Sequence, residues 1–337
     1  MMALASVAAV PTQGRFAQID VPTWGWVALL GSITALLIAD LLIVHRKPHA
    51  ISLREAAVES SVWVALGLGF TGLVALWFGG QAAGEYITGY LIEKSLSVDN
   101  VFVWAMLFTY FAVPREYQFR VLFWGIFGAL VMRGLFIFAG VAVLARFEWV
   151  LFVFGGFLVF TAVRMARHKG TEVHPEQNPV LRFVKRIVPS THEYDGQKMF
   201  TRRSGRLLAT PLFVILVLVE ATDVVFAVDS VPAILAISRE PFIVYSSNAF
   251  AILGLRAMYF LLAGMAGRFR YLHLGLAAIL AFVGVKMLVA ELYHPPVWLS
   301  LGFIATALTI SITASLRADK RAVELALKEG PGETPEG

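Results

Sequence analysis

Apolar segments of about twenty residues recur along the chain and are separated by short charged stretches. A helix of that length crosses roughly 30 Å of hydrocarbon and satisfies its own backbone hydrogen bonds there. The composition agrees, because 58% of the residues are hydrophobic, 15% are charged and the mean hydropathy is +0.73. We therefore predict an all-α, polytopic membrane protein with about nine transmembrane helices. They are placed at residues 24–44, 60–79, 86–111, 117–144, 148–166, 208–237, 243–264, 272–291 and 297–316.

Lysine and arginine residues indicate the orientation, because basic side chains in short loops stay on the cytoplasmic side. With the N-terminus outside, 21 of the 28 basic residues fall in inside segments, and only Arg15, Arg146 and Arg239 fall outside. We predict a multi-pass protein of the cell (inner) membrane, with its N-terminus outside and its C-terminus in the cytoplasm. The pI near 9.5 then reflects topology and contact with anionic lipids, and does not indicate nucleic-acid binding.

The chain contains an internal repeat. GALVMRGLFIFAG aligns with AILGLRAMYFLLAG, so that Arg133 matches Arg256, and upstream VDNVFV aligns with TDVVFA, so that Asp99 matches Asp223. The offset stays at 122 to 124 residues. Each copy has three helices, an odd number, so the two copies must cross the membrane in opposite directions. In transporters built from such an inverted repeat, the substrate site lies near the midplane where the copies meet.

The predicted helices form one transmembrane domain between two tails. The hydrophilic linker between the repeats contains NPVLRFVKRIVP, which is either a short amphipathic helix lying on anionic headgroups or a solvated connector. The C-terminal EGPGETPEG is typical of disorder. The predicted units are an external tail at 1–23, a transmembrane transporter domain at 24–316 and a charged, disordered cytoplasmic tail at 317–337; within the domain, repeat one spans 86–166, the cytoplasmic linker 167–207 and repeat two 208–289.

Two predicted helices carry acidic residues in the middle of apolar sequence, GYLIEKSLSVDNVFVWAM and LVLVEATDVVFAVDSVPAIL. An ionised side chain at the bilayer centre costs about 2.5–3.5 kcal/mol, so a group of them needs a compensating partner. We therefore expect the functional site on these two helices. The candidate ligands are Glu93, Asp99, Asn100, Glu220, Asp223, Asp229 and Ser230.

In the first of these helices, the spacing of 100° per residue places Glu93, Ser97 and Asn100 on one face. Asp99 then points elsewhere, unless the helix unwinds at SLSVDN, whose polar residues make such a break plausible. The periodicity therefore predicts one shared face of three polar side chains and leaves the direction of Asp99 open.

In the second helix, Glu220 and Asp223 share a face that continues to Ser230, whereas Asp229 does not. Pro232 lacks a backbone N–H and its ring disturbs the preceding turn. We therefore expect a bend that turns Asp229 towards the same cavity.

Carboxylate, amide and hydroxyl oxygens are hard donors, and neither helix contains His or Cys. This donor set suits Mg²⁺, Ca²⁺ or Mn²⁺. The chain has no cysteine, which excludes disulfides and thiolate metal sites. Met106, seven residues after Asp99, either packs against neighbouring helices or favours a softer ion such as manganese.

A static ion-pair network is the structural alternative, with acids of the first helix neutralising Arg133 and acids of the second neutralising Arg256. Arg133, Arg256, Lys94 and Lys286 supply four positive charges. They are fewer than the acids expected at membrane depth, which are the five acids of the two helices and Asp40. At least one acid must then be protonated, hydrated or bound to a cation. We assign a gating or ion-pairing role to Arg133, Arg256 and Lys286, and we expect Asp40 at the membrane interface.

Four long strings resemble the TerC family of integral membrane proteins, in particular its Alx-type branch: EYITGYLIEKSLSVDNVFVW, YFAVPREYQFRVLFWGIFGALVMRG, EATDVVFAVDSVPAILAI and SSNAFAILGLRAMYFLLAG. The resemblance covers roughly residues 24–316. It implies membership of the LysE-type exporter superfamily, whose TerC members are associated with manganese efflux, alkaline-induced expression and tellurite resistance. It also implies that the metal-site candidates are Glu93, Asp99, Asn100, Glu220, Asp223, Asp229 and Ser230.

The leading hypothesis is a secondary transporter that exports Mn²⁺, with protons as the expected exchange partner. The chain has no nucleotide-binding GxxxxGK[ST] run and no nucleophile–base set, so we expect neither an enzyme nor a resident cofactor. The alternative is a membrane platform that assists the assembly or insertion of other membrane proteins, as associated with plant relatives. Protein partners are not indicated by any motif.

Overall fold

A computed structural model describes residues 16–40, 51–147, 149–167, 186, 188–191, 193–203, 205–263, 271–290, 292 and 296–329, with side chains up to Lys320. The described chain is almost entirely helical, as predicted, with one small hairpin in the linker. The helices are α1 Thr23–Ala39, α2 Leu53–Tyr110, α3 Arg115–Arg146, α4 Val150–Arg167, α5 Pro211–Leu235, α6 Pro241–Leu253, α7 Leu255–Leu262, α8 Leu272–Leu288 and α9 Val297–Glu329; the strands are β1 Phe200–Arg203 and β2 Arg206–Ala209.

Helix α2 folds back on itself at Gly79. It has 58 residues, and a straight helix of that length would extend about 87 Å, nearly three times the hydrocarbon thickness. Gly79 has φ +86° and ψ 175°, a conformation open essentially to glycine alone. Beyond it the Tyr86 hydroxyl donates to the Gly67 carbonyl at 3.1 Å. Because 19 helical residues would separate these two groups by about 28 Å, the two parts of α2 must lie antiparallel.

The predicted segments all correspond to helices of the described chain. Five helices are long and apolar enough to cross a membrane, and α1 and α8 are shorter apolar helices. The two parts of α2 account for the predicted segments 60–79 and 86–111. The segment at 243–264 is interrupted: α6 ends and α7 begins at Gly254, so neither piece spans a bilayer alone. Interrupted helices are the usual carriers of transporter sites.

The two repeats interlock in a reciprocal way. The second part of α2 packs against α6 and α7, while α3 packs against α5. Thus the first helix of each repeat contacts the second helix of the other. The third helices, α4 and α8, pack against each other, with Gly155 and Gly284 at their closest approach. Such reciprocal pairing is what two copies related by a two-fold axis produce, and it supports the repeat read from the sequence.

The connections predicted to be cytoplasmic lie together in space. The Tyr194 hydroxyl of the linker donates to the Phe111 carbonyl at 2.8 Å, and Gln197 Nε2 donates to the Glu116 carbonyl at 3.1 Å. The last part of the linker therefore covers the turn between α2 and α3 and continues into the β1–β2 hairpin. The predicted amphipathic segment at 178–189 lies mostly outside the described residues.

The connections predicted to be external also meet. The Ala17 N–H donates to Glu85 Oε1 at 2.6 Å, and the Arg239 guanidinium lies 5.2 Å from the centre of the Phe16 ring. The described end of the predicted tail, from residue 16, is thus packed against the helices, and residues 1–15 lie outside the described part. The two groups of connections are mutually consistent with the predicted sides.

The structure answers one open point and contradicts two local expectations. Helix α2 has no non-helical residue other than Gly79, so SLSVDN, where the sequence allowed a break, is not unwound. Helix α5 continues through Pro232 to Leu235, and Asp229 is not turned towards Asp223, because its carboxylate accepts a hydrogen bond from Thr161 of α4. Helix α9 runs to Glu329, well into the region expected to be disordered. The sequence RADKRAVELALKE consists largely of strong helix formers, which explains the extension.

Candidate functional site

Arg133 lies at the centre of a buried polar cluster in the middle of the helix bundle. Its side chain is 1% exposed. Nη1 donates to Glu93 Oε1 and to Ser230 Oγ, the latter at 2.9 Å. Nη2 donates to Asp223 Oδ1 at 3.1 Å and Nε to Asp223 Oδ2 at 3.4 Å, which is the two-pronged geometry that suits a guanidinium and a carboxylate. We call the set Arg133, Glu93, Ser97, Asn100, Asp223, Ser230 and Asn248 the Arg133 cluster.

The cluster joins both repeats at mid-depth. Glu93, Ser97 and Asn100 project from one face of α2, as the periodicity predicted: Ser97 Oγ donates to Glu93 Oε1 at 3.0 Å and Asn100 Nδ2 donates to Asp223 Oδ1 at 3.1 Å. Asp223 is the central residue of α5. A residue at the middle of a span of 25 residues lies near the bilayer midplane, where a charge is most costly.

The charges of the Arg133 cluster do not balance. Two carboxylates, Glu93 and Asp223, surround one guanidinium, so the ionised cluster carries one excess negative charge. Lys94, next to Glu93 in the chain, does not enter the cluster, because its ammonium donates to the Ala251 carbonyl of α6 at 3.2 Å. Within the described residues, Glu93 Oε2 and Asn100 Oδ1 are buried without a hydrogen-bond partner. Both are oxygen acceptors, and buried acceptors of this kind need a hydrogen-bond donor, a proton or a cation.

Three of the predicted ligands lie apart from the cluster. Asp229 accepts a hydrogen bond from Thr161 of α4 at 3.1 Å. The carboxylate of Glu220 rests against Gly128 of α3, where any larger side chain would displace it. Asp99 is half-buried, one position away from the shared face of α2. The structure therefore brings Glu93, Asn100, Asp223 and Ser230 together and leaves the other three predicted ligands outside.

No three acidic or histidine side chains of the described residues are close enough together to form a metal centre in this conformation. The guanidinium of Arg133 occupies the space between the two carboxylates of its cluster. The positively charged guanidinium of Arg133 thus lies where two carboxylates, an amide and a hydroxyl converge. Chemically, this set can hold a positive charge, exchange one cation for another, or take up a proton.

Arg256, the repeat equivalent of Arg133, has different partners from those of the static-network alternative. Its guanidinium pairs with Asp40 at the end of α1 and Glu59 in the first part of α2, and it lies 4.5 Å from the centre of the Phe119 ring. That alternative correctly paired Glu93 with Arg133, but its pairing of Asp223 or Glu220 with Arg256 is wrong, because Asp223 is bound by Arg133. Asp40 is 8% exposed and is a buried ion-pair partner, not merely an interfacial residue.

Lys286 lies near the other end of the bundle. Its ammonium donates to Ser300 of α9 at 3.3 Å. It takes no part in the Arg133 cluster. The three predicted gating residues therefore mark three separate positions: Arg133 in the middle, Arg256 towards the predicted inner side and Lys286 towards the predicted outer side.

Two residues that contact the buried arginines were not predicted from the sequence. Asn248 of α6 accepts from Arg133 Nη1 at 3.3 Å and donates to the Val244 carbonyl at 3.0 Å. Glu59 binds Arg256. For Asn248 a signal existed, because SSN is a run of three polar residues inside an apolar span, where polar side chains are rare. Glu59 lies close to the charged start of α2 and gives no comparable signal.

Comparison with known proteins places the chain among bacterial membrane proteins. It is 48% identical to the membrane protein STKORF319 of Myxococcus xanthus over 297 residues, covering 88% of this chain and 93% of that protein. It is also 48% identical to a protein of Escherichia coli K12 named as a proposed membrane-bound redox modulator, Alx, over 83% of this chain and 90% of that one. A membrane protein of Rickettsia bellii is 37% identical over 86% and 96%.

No solved structure matches the chain. The model of the integral membrane protein TerC family matches residues 78–323, which is most of the chain and includes every member of the Arg133 cluster. The family model and the similar proteins therefore both confirm the resemblance that the sequence indicated. The chain belongs to the TerC family of integral membrane proteins.

Proposed function

We propose that this protein is a secondary transporter that exports a divalent cation, with Mn²⁺ as its principal cargo, through the Arg133 cluster. The observation that carries the proposal is the excess of carboxylate over guanidinium at the centre of the bundle, together with two buried oxygen acceptors that lack partners. A permanent network would be expected to balance its charges, since unpaired buried charge is costly. An imbalance suits a site that is loaded and emptied.

In this proposal Arg133 is the cation that occupies the site when the cargo is absent. Glu93, Asp223, Asn100 and Ser230 supply oxygen donors, which suit Mn²⁺, Mg²⁺ or Ca²⁺. Loading requires Arg133 to withdraw, because the guanidinium lies between the two carboxylates. The excess negative charge of the empty state is compensated by a proton, which is released when the metal enters. Exchange of protons for the metal follows from that competition.

We further propose the location and orientation that the basic residues favour, namely the inner membrane with the N-terminus outside and the C-terminus in the cytoplasm. Export then moves the cation from the side of the linker to the side of Glu85. The proposal includes no catalytic activity, no resident cofactor and no nucleic-acid partner, and it includes contact of the basic cytoplasmic segments with anionic lipids.

The relatives' name mentions a redox role, and this chain has no cysteine. Its own side chains therefore supply no thiol for disulfide exchange. An effect on redox balance would instead follow from the transport of a redox-active metal such as manganese. The assembly-platform hypothesis remains the competing class of function, and it differs in one respect: it does not require the charge of Asp223.

The test is Mn²⁺ uptake into proteoliposomes that contain the purified protein. We expect flux with the unmodified chain, loss of at least tenfold with Asp223→Asn, and no change with Glu116→Gln, which neutralises an exposed acid at the start of α3. Alkalinisation of the lumen during uptake reports the proton exchange, because protons leave the lumen as Mn²⁺ enters it. Full Mn²⁺ flux with Asp223→Asn would overturn the assignment of the site and favour the assembly platform.

A further inference from the structure

An apolar groove of about 450 Å³ lies between α8 and α9, away from the Arg133 cluster. Its walls are formed by small and apolar residues of both helices: Tyr271, Gly275, Ala278, Phe303, Ile310 and Ala314. The two helices touch at its floor, because a Cβ atom added to Gly275 would lie 2.4 Å from Ser311 Oγ. Ile310 on its wall is 62% exposed, so the groove opens outwards into the surrounding membrane.

The groove is elongated along α9. From Phe303 to Ala314 it follows eleven residues of α9, or about 16 Å along the axis. Its lining is almost entirely apolar, so it suits the extended hydrocarbon chain of a membrane lipid.

The two ends of the groove differ. At one end the ring of Phe303 stacks on Phe282, with 4.3 Å between the ring centres, and closes the groove within the bilayer. At the other end the lining face of α9 continues to Arg317, three residues beyond Ala314, and then to Lys320. Both basic side chains are exposed.

The depth of this basic end matches a lipid headgroup. Arg317 is 20 residues after Val297, or about 30 Å along α9, which is the thickness of the hydrocarbon layer. The nearest acidic residue on the helix, Asp319, is 200° around the helix from Arg317 and therefore on the opposite face. The positive charge at the groove mouth is thus directed to the membrane surface, where anionic headgroups lie.

We propose that this groove binds one acyl chain of an anionic phospholipid, whose headgroup pairs with Arg317 and Lys320 at the basic end of α9. The site is a lipid site of the protein's own surface and does not depend on the proposed transport. Apolar contact fixes the chain, and the two basic residues select the charge of the headgroup. Because α8 is the third helix of repeat two, a bound lipid contacts one of the two helices at the α4–α8 interface.

Native mass spectrometry of the purified full-length protein tests this proposal, with phosphatidylglycerol and phosphatidylcholine of identical acyl chains as probes. We expect one retained phosphatidylglycerol per protein. The double variant Arg317→Gln, Lys320→Gln should lower that retention at least fivefold and leave phosphatidylcholine binding unchanged. Arg167→Gln, an exposed basic residue at the end of α4, is the charge control and should have no effect.

Filling the groove tests the apolar part. Ala278→Phe should lower retention of both lipids at least fivefold, and Ala314→Phe serves the same purpose if the first variant fails to fold. Ala305→Phe, on the exposed face of α9 outside the groove, is the size-matched control and should behave like the unmodified chain. Phosphatidylglycerol retention equal to that of the unmodified chain, in either the double-charge variant or the groove-filled variants, would overturn the proposal. Conversion of a dimer to a monomer by Ala278→Phe would also overturn it, because the occupant would then be a second copy.

Discussion

Removal of Asp223 and removal of Arg133 should have very different effects on stability. The Arg133 cluster holds two carboxylates and one guanidinium, all nearly inaccessible to solvent. Asp223→Asn leaves Glu93 and Arg133 as a balanced pair. Arg133→Gln leaves two carboxylates facing each other without a cation. The comparison therefore distinguishes an ion site with excess negative charge from a static network in which every charge is needed.

The magnitudes follow from the contacts. The asparagine side chain has the shape of aspartate and keeps one oxygen that can accept from Arg133, so it forfeits about one hydrogen bond to a charged group, worth roughly 1.5–3 kcal/mol. Relief of the excess charge offsets part of that loss. Loss of the cation from a buried ion pair typically costs about 3–5 kcal/mol. We therefore expect Arg133→Gln to destabilise the fold by about 2 kcal/mol more than Asp223→Asn.

The assay is reversible unfolding of the purified protein in mixed detergent micelles with increasing denaturing detergent, in the presence of a chelator so that no divalent cation is bound. Glu116→Gln, an exposed acid outside the cluster, is the control and should match the unmodified chain. Equal destabilisation by Asp223→Asn and Arg133→Gln would refute the reasoning, because the aspartate would then be a structural partner that the fold cannot lose.

Two further predictions concern backbone geometry. Gly79→Ala should destabilise the fold by about 1–3 kcal/mol, because φ +86° is strained for any residue with a Cβ, whereas Gly80→Ala should be nearly neutral; thermal unfolding of the two variants checks this. Gly155→Ala should cost about 1–3 kcal/mol, because its Cβ would lie 2.9 Å from the Gly284 carbonyl oxygen and push α4 from α8. Gly156→Ala meets no atom within 4 Å, and equal melting temperatures for the Gly155 and Gly156 variants would contradict the proposed close packing.

The sequence predicted the helices well because the bilayer imposes their length and composition. It also predicted the shared face of Glu93, Ser97 and Asn100, since that grouping depends only on helical periodicity. The convergence of this face with Asp223 was expected from the repeat. These features are determined within one helix or by similarity between two, and neither requires knowledge of how distant helices pack.

The remaining features depend on tertiary packing. Helical periodicity does not predict that Arg256 pairs with Asp40 and Glu59, because those residues lie outside the repeats and about 200 positions away in the sequence. It also cannot fix the rotation of a helix about its axis, which is why Asp99 and Asp229 were expected in a shared cavity and lie elsewhere. Nor does it predict that α2 stays continuous at SLSVDN, or that Asp229 pairs with Thr161 of α4 although Pro232 follows three residues later.

The most direct measurement is anomalous X-ray diffraction at the manganese edge from crystals of the protein loaded with Mn²⁺. The account predicts one strong anomalous peak bonded to oxygens of Glu93 and Asp223, with the Arg133 guanidinium withdrawn from the position that it holds between them. A parallel crystal of Asp223→Asn should lack the peak. Manganese bound elsewhere in the bundle, with Arg133 still paired to both carboxylates, would contradict the central claim that cargo and arginine compete for the same place.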